Sequence, residues 1–152
     1  MKKLKPVQKE QLKENIIFQR ELEADVLART IWGEARGEGS AGMMAVANVV
    51  MNRVKRGGWW GSSVIEVCQK PFQFSCWNKD DPNRRAVMAI DGGDIHFATA
   101  LRIARRAVHG VLPDMTEGAD HYHAAGVYPE WSRGERPVAV IGSHIFYRLK
   151  NI

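Results

Sequence analysis

Apolar residues recur at helical spacing through the first two thirds of the chain and at strand spacing only near its end. From Leu22, the positions Leu22, Val26, Leu27, Thr30 and Ile31 draw one face of a helix. Gly37 is its expected stop, since glycine readily adopts the backbone geometry that ends helices. Glu34 thereby falls in the last turn, at the mouth of whatever groove follows. Ser40 has the chemistry of an N-cap for a second helix running to about Arg56, with Met43, Met44, Ala47, Val50, Met51 and Val54 inward and Gly57 and Gly58 as its stop. A short helix capped by Ser62 or Ser63 carries Val64, Ile65 and Val67, and Pro71 closes it.

Residues 71–81 show neither period and predict an ordered loop. Asp80 or Asp81, with Pro82 just after, starts a helix from Asn83 to Ile90, and Asp94 caps a longer one from Ile95 to His109, with Gly110 beyond it. After Pro113 the pattern changes. Tyr122 and His123 lie in an extended stretch, residues 126–137 are rich in turn formers, and two β-branched runs flank Gly142 and Ser143 as a hairpin signal. Residues 1–20, of mixed charge with loosely helical Leu4, Leu12, Ile16 and Ile17, predict a partly exposed helical arm. The expectation is a mainly helical α+β fold: one domain from residue 21 to 152, closed by a small C-terminal β-hairpin element.

The 152-residue length suits one hydrophobic core, and 45% hydrophobic with 26% charged residues excludes a disordered or fibrous chain. No apolar run reaches the ~18 residues a membrane span needs, so stable membrane insertion is not expected. The net charge of +5 attracts polyanions of any kind, carboxylate-bearing wall polymers and nucleic acids alike, and selects none of them. Cys68 and Cys76 flank Pro71 and could either bridge or remain buried thiols.

The densest chemical signal is Ile31-Trp32-Gly33-Glu34-Ala35-Arg36-Gly37-Glu38-Gly39. A carboxyl at a helix exit beside Trp32 can be desolvated, which favours its protonated form and suits a general acid. Glycoside cleavage also needs a groove with aromatic and amide side chains. Gln73, Ser75 and Trp77 in the 71–81 loop, and Tyr122, His123 and Tyr128 further on, supply such groups. Phe72, Phe74 and Trp77 could equally be core. Arg36 and Glu38 are expected to support Glu34 structurally, the helix having ended before Glu38.

These residues also carry a resemblance. Ala28 to Glu38, Ala45 to Val54, Gln73 to Trp77, and the closing Arg136-Pro137-Val138 with Ile141 to Phe146 occur in one order over about residues 24–149. Together they resemble the cell-wall hydrolase family of the spore-cortex-lytic enzymes (SleB-like). The resemblance implies a lysozyme-like, lytic transglycosylase-like domain that cuts peptidoglycan between N-acetylmuramic acid and N-acetylglucosamine; no cofactor and a monomeric state are expected besides. The family's catalytic glutamate falls on Glu34. Because Met1 to Lys5 is followed by polar residues rather than an apolar segment, no secretory signal is expected. A phage or prophage endolysin, made in the cytoplasm and released to the wall through a route such as a holin, fits better than a spore enzyme. Rivals are a muramidase on the same bond, a zinc amidase using Asp120, His121, His123 and His144, and a basic wall- or nucleic-acid-binding module without catalysis.

Overall fold

The computed structural model describes residues 3–149; Met1 and Lys2 of the basic start lie outside them. Helix α1 spans Pro6–Ala35, with Pro6 at its first turn, where a missing N–H costs nothing. The expected arm and first core helix are one continuous rod, for no glycine or proline interrupts residues 7–32. Its N-terminal half is exposed, including Ile17 and Phe18, and burial begins at Ala24. An ion pair of Glu21 with Arg105 at 3.2 Å ties the rod to α5 (Ile95–Val108) where the overhang begins.

From Ala24 onward α1 is the hub of the molecule. Leu27, Ala28, Ile31 and Ala35 pack with Met43, Val46 and Val50 of α2 (Gly39–Arg56), Val64 and Val67 of α3 (Val64–Gln69), and Phe97, Ala100 and Ala104 of α5. Alanines at these contacts let the helix backbones approach closely. Gly33 marks the tightest approach. A Cβ there would stand 2.8 Å from Cys76 Cβ and 2.9 Å from Val87 Cγ2, so the 75–77 turn and α4 (Arg84–Ala89) can press on α1 only over a glycine.

Helix α2 is buried on two sides rather than one. Met43, Val46, Ala47 and Val50 face the helices, while Ala45 and Val49 join Ala119 and Phe146 in a second cluster under the sheet. This is why residues 45–50 are apolar on successive positions except Asn48, whose side chain is hydrogen-bonded to Pro113 and Met115. α2 begins at Gly39, one residue before the expected cap Ser40, and Glu38 occupies the cap position. Two other caps behave as their side chains require: Ser63 accepts from the Glu66 amide at 3.2 Å, and Asp94 from the Phe97 amide at 2.9 Å.

The sheet has three antiparallel strands in the order β1-β3-β2, formed by β1 (His121–Ala124), β2 (Ala139–Ile141) and β3 (His144–Tyr147). The β2–β3 hairpin turns at Gly142, whose φ of 59° requires glycine-like freedom. The extended Tyr122–His123 stretch adds the third strand, pairing Tyr122 with Phe146 and His123 with Ile145. The result is the expected mainly helical α+β chain.

Candidate active site

Glu34 stands in the last turn of α1, partly exposed, with a different element on each side of it. Burial lifts its carboxyl from the ordinary 4.5 to about 7, and the negative charge of Asp81, just before α4, adds to the rise. The neighbouring Tyr122 hydroxyl, which favours the charged carboxyl, and the Arg53 guanidinium oppose it. A carboxyl poised near neutrality can hold a proton and release it, the requirement of an acid that later serves as a base.

Each neighbour is locked by its own packing. Tyr122 projects from the helix-facing side of β1 and stacks on Phe146 at 5.6 Å, with the His144 ring 5.0 Å away. Arg53 of α2 is buried between the rings of Trp60 and Phe74, 5.2 Å from each, and its Nε donates to the Asp120 carbonyl at 2.8 Å. Its Nη1 is buried with no acceptor among the described residues. Asp81 accepts from the Asn83 amide at 2.8 Å, and Asn83 in turn accepts from Arg36 at 3.1 Å, which fastens the start of α4 to the end of α1.

Arg36 and Glu38 hold this corner together. Arg36 lies over the Trp32 ring at 4.2 Å, and both its side chain and its backbone amide donate to the Trp32 carbonyl at 3.2 Å, which closes the helix end. Trp32 donates to Asp94 at 3.2 Å. Glu38 accepts from the Ser143 amide at 3.1 Å and from its hydroxyl, and these bonds, the hydroxyl first, hold its carboxyl below the usual range.

The sugar-binding candidates separate. Trp77 spends its indole N–H on Thr30 at 2.9 Å and packs against the core, leaving only part of its ring exposed. Gln73 is half-buried and Ser75 exposed on the loop beside it, while Phe74 is core and Phe72 is 84% exposed with a left-handed φ of 65°. Strand alternation sends His123 to the face opposite Tyr122. There its Nε2 meets the Tyr147 hydroxyl at 2.9 Å and its Nδ1 the Ala124 carbonyl at 2.8 Å, with Tyr128 and Trp131 packed around it. His123 and Tyr128 therefore belong to an aromatic cluster of their own, not to the Glu34 neighbourhood.

The zinc set does not assemble. His121 bonds Asp120 at 2.8 Å, Asp120 also pairs with Arg56, both His123 nitrogens are engaged, and His144 lies on the other face of the sheet. Among the described residues no three such ligands converge. Cys68 and Cys76 are both free and buried. Burial pushes the Cys68 thiol up to about 12, and Cys76 higher still.

Two adjoining clefts open beside the loop before α4 and share Lys79 and Arg84. The larger, about 720 Å³, is lined by Lys79, Asp81, Pro82, Arg84, Arg85, Met88 and Ala89. The smaller, about 400 Å³, includes Phe72, Trp77 and Asn78. Glu34 lines neither, and Asp81 is the link, lining the larger cleft while acting on the Glu34 carboxyl. Arg53 and Asp81 were missed as site residues. Arg53 is hidden in the second resembling block as an ordinary helix cation, and Asp81 reads locally as a helix start.

The cell wall hydrolase family model matches residues 37–147. The chain belongs to that family. The match begins just after Glu34, but the relatives reach further. A spore cortex-lytic enzyme of Halalkalibacterium halodurans is 32% identical over 126 residues, 80% of this chain and 33% of its own length. That of Bacillus subtilis is 28% identical over 124 residues, 80% and 36% respectively. The chain thus spans about a third of the length of the curated relatives it matches. Among solved structures, the catalytic domain of the Bacillus cereus SleB protein superposes with a TM-score of 0.66 and 25% identity, covering 83% of this chain and 89% of that one. The catalytic domain of the germination-specific lytic transglycosylase SleB from Bacillus anthracis gives 0.65, 25%, 83% and 93%. As a cell wall hydrolase family member, the chain has the lysozyme-like fold of that domain, with a few short strands set on a helical body.

Proposed function

We propose that this protein cleaves the glycan strands of peptidoglycan between N-acetylmuramic acid and N-acetylglucosamine as a lytic transglycosylase. The observation that carries the reading is the Glu34 carboxyl raised to about 7 by burial, with Asp81, Tyr122 and Arg53 acting on its charge. Protonated Glu34 donates to the bridging oxygen, the bond from that oxygen to the muramic C1 breaks, and the N-acetylglucosamine leaves as an alcohol. Positive charge then develops at C1. The muramic C6 hydroxyl closes onto C1, giving its proton to the Glu34 carboxylate, so that a 1,6-anhydro ring forms and the enzyme returns to its starting state. The similarity to the catalytic domain of a germination-specific lytic transglycosylase supports this outcome.

One observation favours a second reading, a hydrolase. Asp81 is a carboxylate close enough to raise Glu34, and an inverting glycosidase uses a second carboxylate to activate water. Mass analysis of purified sacculi after digestion separates them. Anhydromuramic ends are expected; reducing ends would transfer the role of base to Asp81, and released peptides would indicate an amidase and overturn both.

The glycan lies outside the cytoplasmic membrane, so the proposal places the protein's action there, released in a phage lysis programme. Lysis of a host expressing the protein with and without a holin tests that route. The protein is proposed to act as a monomer, which light scattering checks.

A further inference from the structure

The mechanism proposed for Glu34 makes no use of Arg84, yet this side chain is set up to receive something. It opens α4, lines both clefts, and is partly buried. Its Nε is shielded from solvent without an acceptor, and it enters no ion pair among the described residues. A buried donor left unmet is costly and rare, and a guanidinium offers a planar fork shaped for a carboxylate. Lys79 and Arg85 stand in the same cleft, while Asp81 has one oxygen occupied by the Asn83 amide. Pro82, Met88 and Ala89 give the remaining wall an apolar surface suited to methyl side chains.

A cationic cleft with an apolar wall fits a short acidic peptide rich in alanine. The glycan substrate carries such a peptide, attached to the muramic acid beside the bond to be cut. The cleft is tied to the scissile position, because Asp81 borders it and acts on Glu34, and because Arg36, two residues past Glu34, holds Asn83 next to Arg84. We propose that the larger cleft is a subsite for the peptide stem of peptidoglycan, with Arg84 clamping a stem carboxylate between Lys79 and Arg85. The inference rests on the glycan-cleaving reading and adds a second point of recognition to it.

The test compares glycan strands bearing intact stems with the same strands stripped by an amidase, both free of phosphate-containing wall polymers. Cleavage of either by the wild-type protein decides the glycosidase reading itself. If that stands, kcat/KM on stem-bearing strands should exceed that on stripped strands. Arg84→Gln should cut that preference by roughly tenfold through KM, and Arg84→Lys by less, the charge remaining but not the fork. Melting temperatures of both variants show whether the fold is intact, and titration of the wild-type protein with a free stem peptide gives binding independently of turnover. A wild-type enzyme indifferent to the stems, a preference unchanged in Arg84→Gln, or an Arg84-dependent gain seen only with phosphate polymers would overturn the assignment.

Discussion

Glu38, at the junction of α1 and α2, accepts hydrogen bonds from both the amide and the hydroxyl of Ser143, 105 residues later in the β2–β3 turn. This joins the two halves of the fold within four residues of Glu34 and at the hairpin whose β3 strand pairs with the Tyr122 strand. Glu38→Ala should lower stability by about 1–2 kcal/mol, the cost of stranding charge-assisted partners, as read from urea midpoints. The Glu38 carboxyl is depressed in the folded state, so its contribution is full above the ordinary carboxylate range and fades as the pH falls through its folded value. Wild type and variant should therefore converge in stability in acid. A difference that stays constant with pH would show that Glu38 acts only through packing.

Glu34 has the opposite sign. Its carboxyl is raised from 4.5 to about 7, so the unfolded chain ionises first and the folded state carries a penalty that grows between those values and is full above them. Glu34→Gln should abolish strand cleavage, by ~10²-fold or more. In the same protein, stability at alkaline pH should rise by up to about 3 kcal/mol, from 1.36 kcal/mol per pKa unit. An inactive variant with no gain in stability would mean that Glu34 is not held in an unfavourable site.

The neighbours of Glu34 should move the alkaline limb of the pH–rate profile in opposite directions. Asp81→Asn removes a charge that raises the carboxyl, so the limb should move to lower pH; Tyr122→Phe removes a donor that favours the charged form, so it should move up. The phenylalanine preserves the stacking on Phe146. Parallel shifts in both variants would contradict this electrostatic assignment.

Gly33→Ala tests the close approach at the back of the site. The added methyl would meet Cys76 and Val87 within 3 Å, so a loss of about 1–3 kcal/mol is expected, by thermal melting. An unchanged melting temperature would show that the 75–77 turn can retreat freely.

Both cysteines should titrate as thiols in the unreduced, denatured protein and resist labelling in the folded one, since burial holds Cys68 near 12 and Cys76 higher. Absence of thiols after denaturation would reveal a bridge instead.

Much of the helical layout was legible because it is a local matter. Periodic apolar positions, the Ser63 and Asp94 caps, and the glycine stops act within a turn or two of chain, and the helices lie close to where those signals place them. The continuity of α1 through residue 20 was legible in principle, since nothing there breaks a helix, but polarity suggested a separate arm. The position of Glu34 in the last turn of α1 was also visible, because the helix exit is written in consecutive residues.

What the sequence by itself determined, then, was which segments are helical, that a hairpin closes the chain, and which carboxyl is set apart at a helix end. Only the tertiary structure decided that Arg53 and Asp81 act on that carboxyl, that Tyr122 lies beside it while His123 turns away, and that the Arg84 Nε has no acceptor among the described residues. The physical reason is range. Capping and periodicity are set by neighbours a few residues apart, whereas desolvation and charge coupling depend on side chains that only the packing of α1, α2, the α4 loop and the sheet brings together.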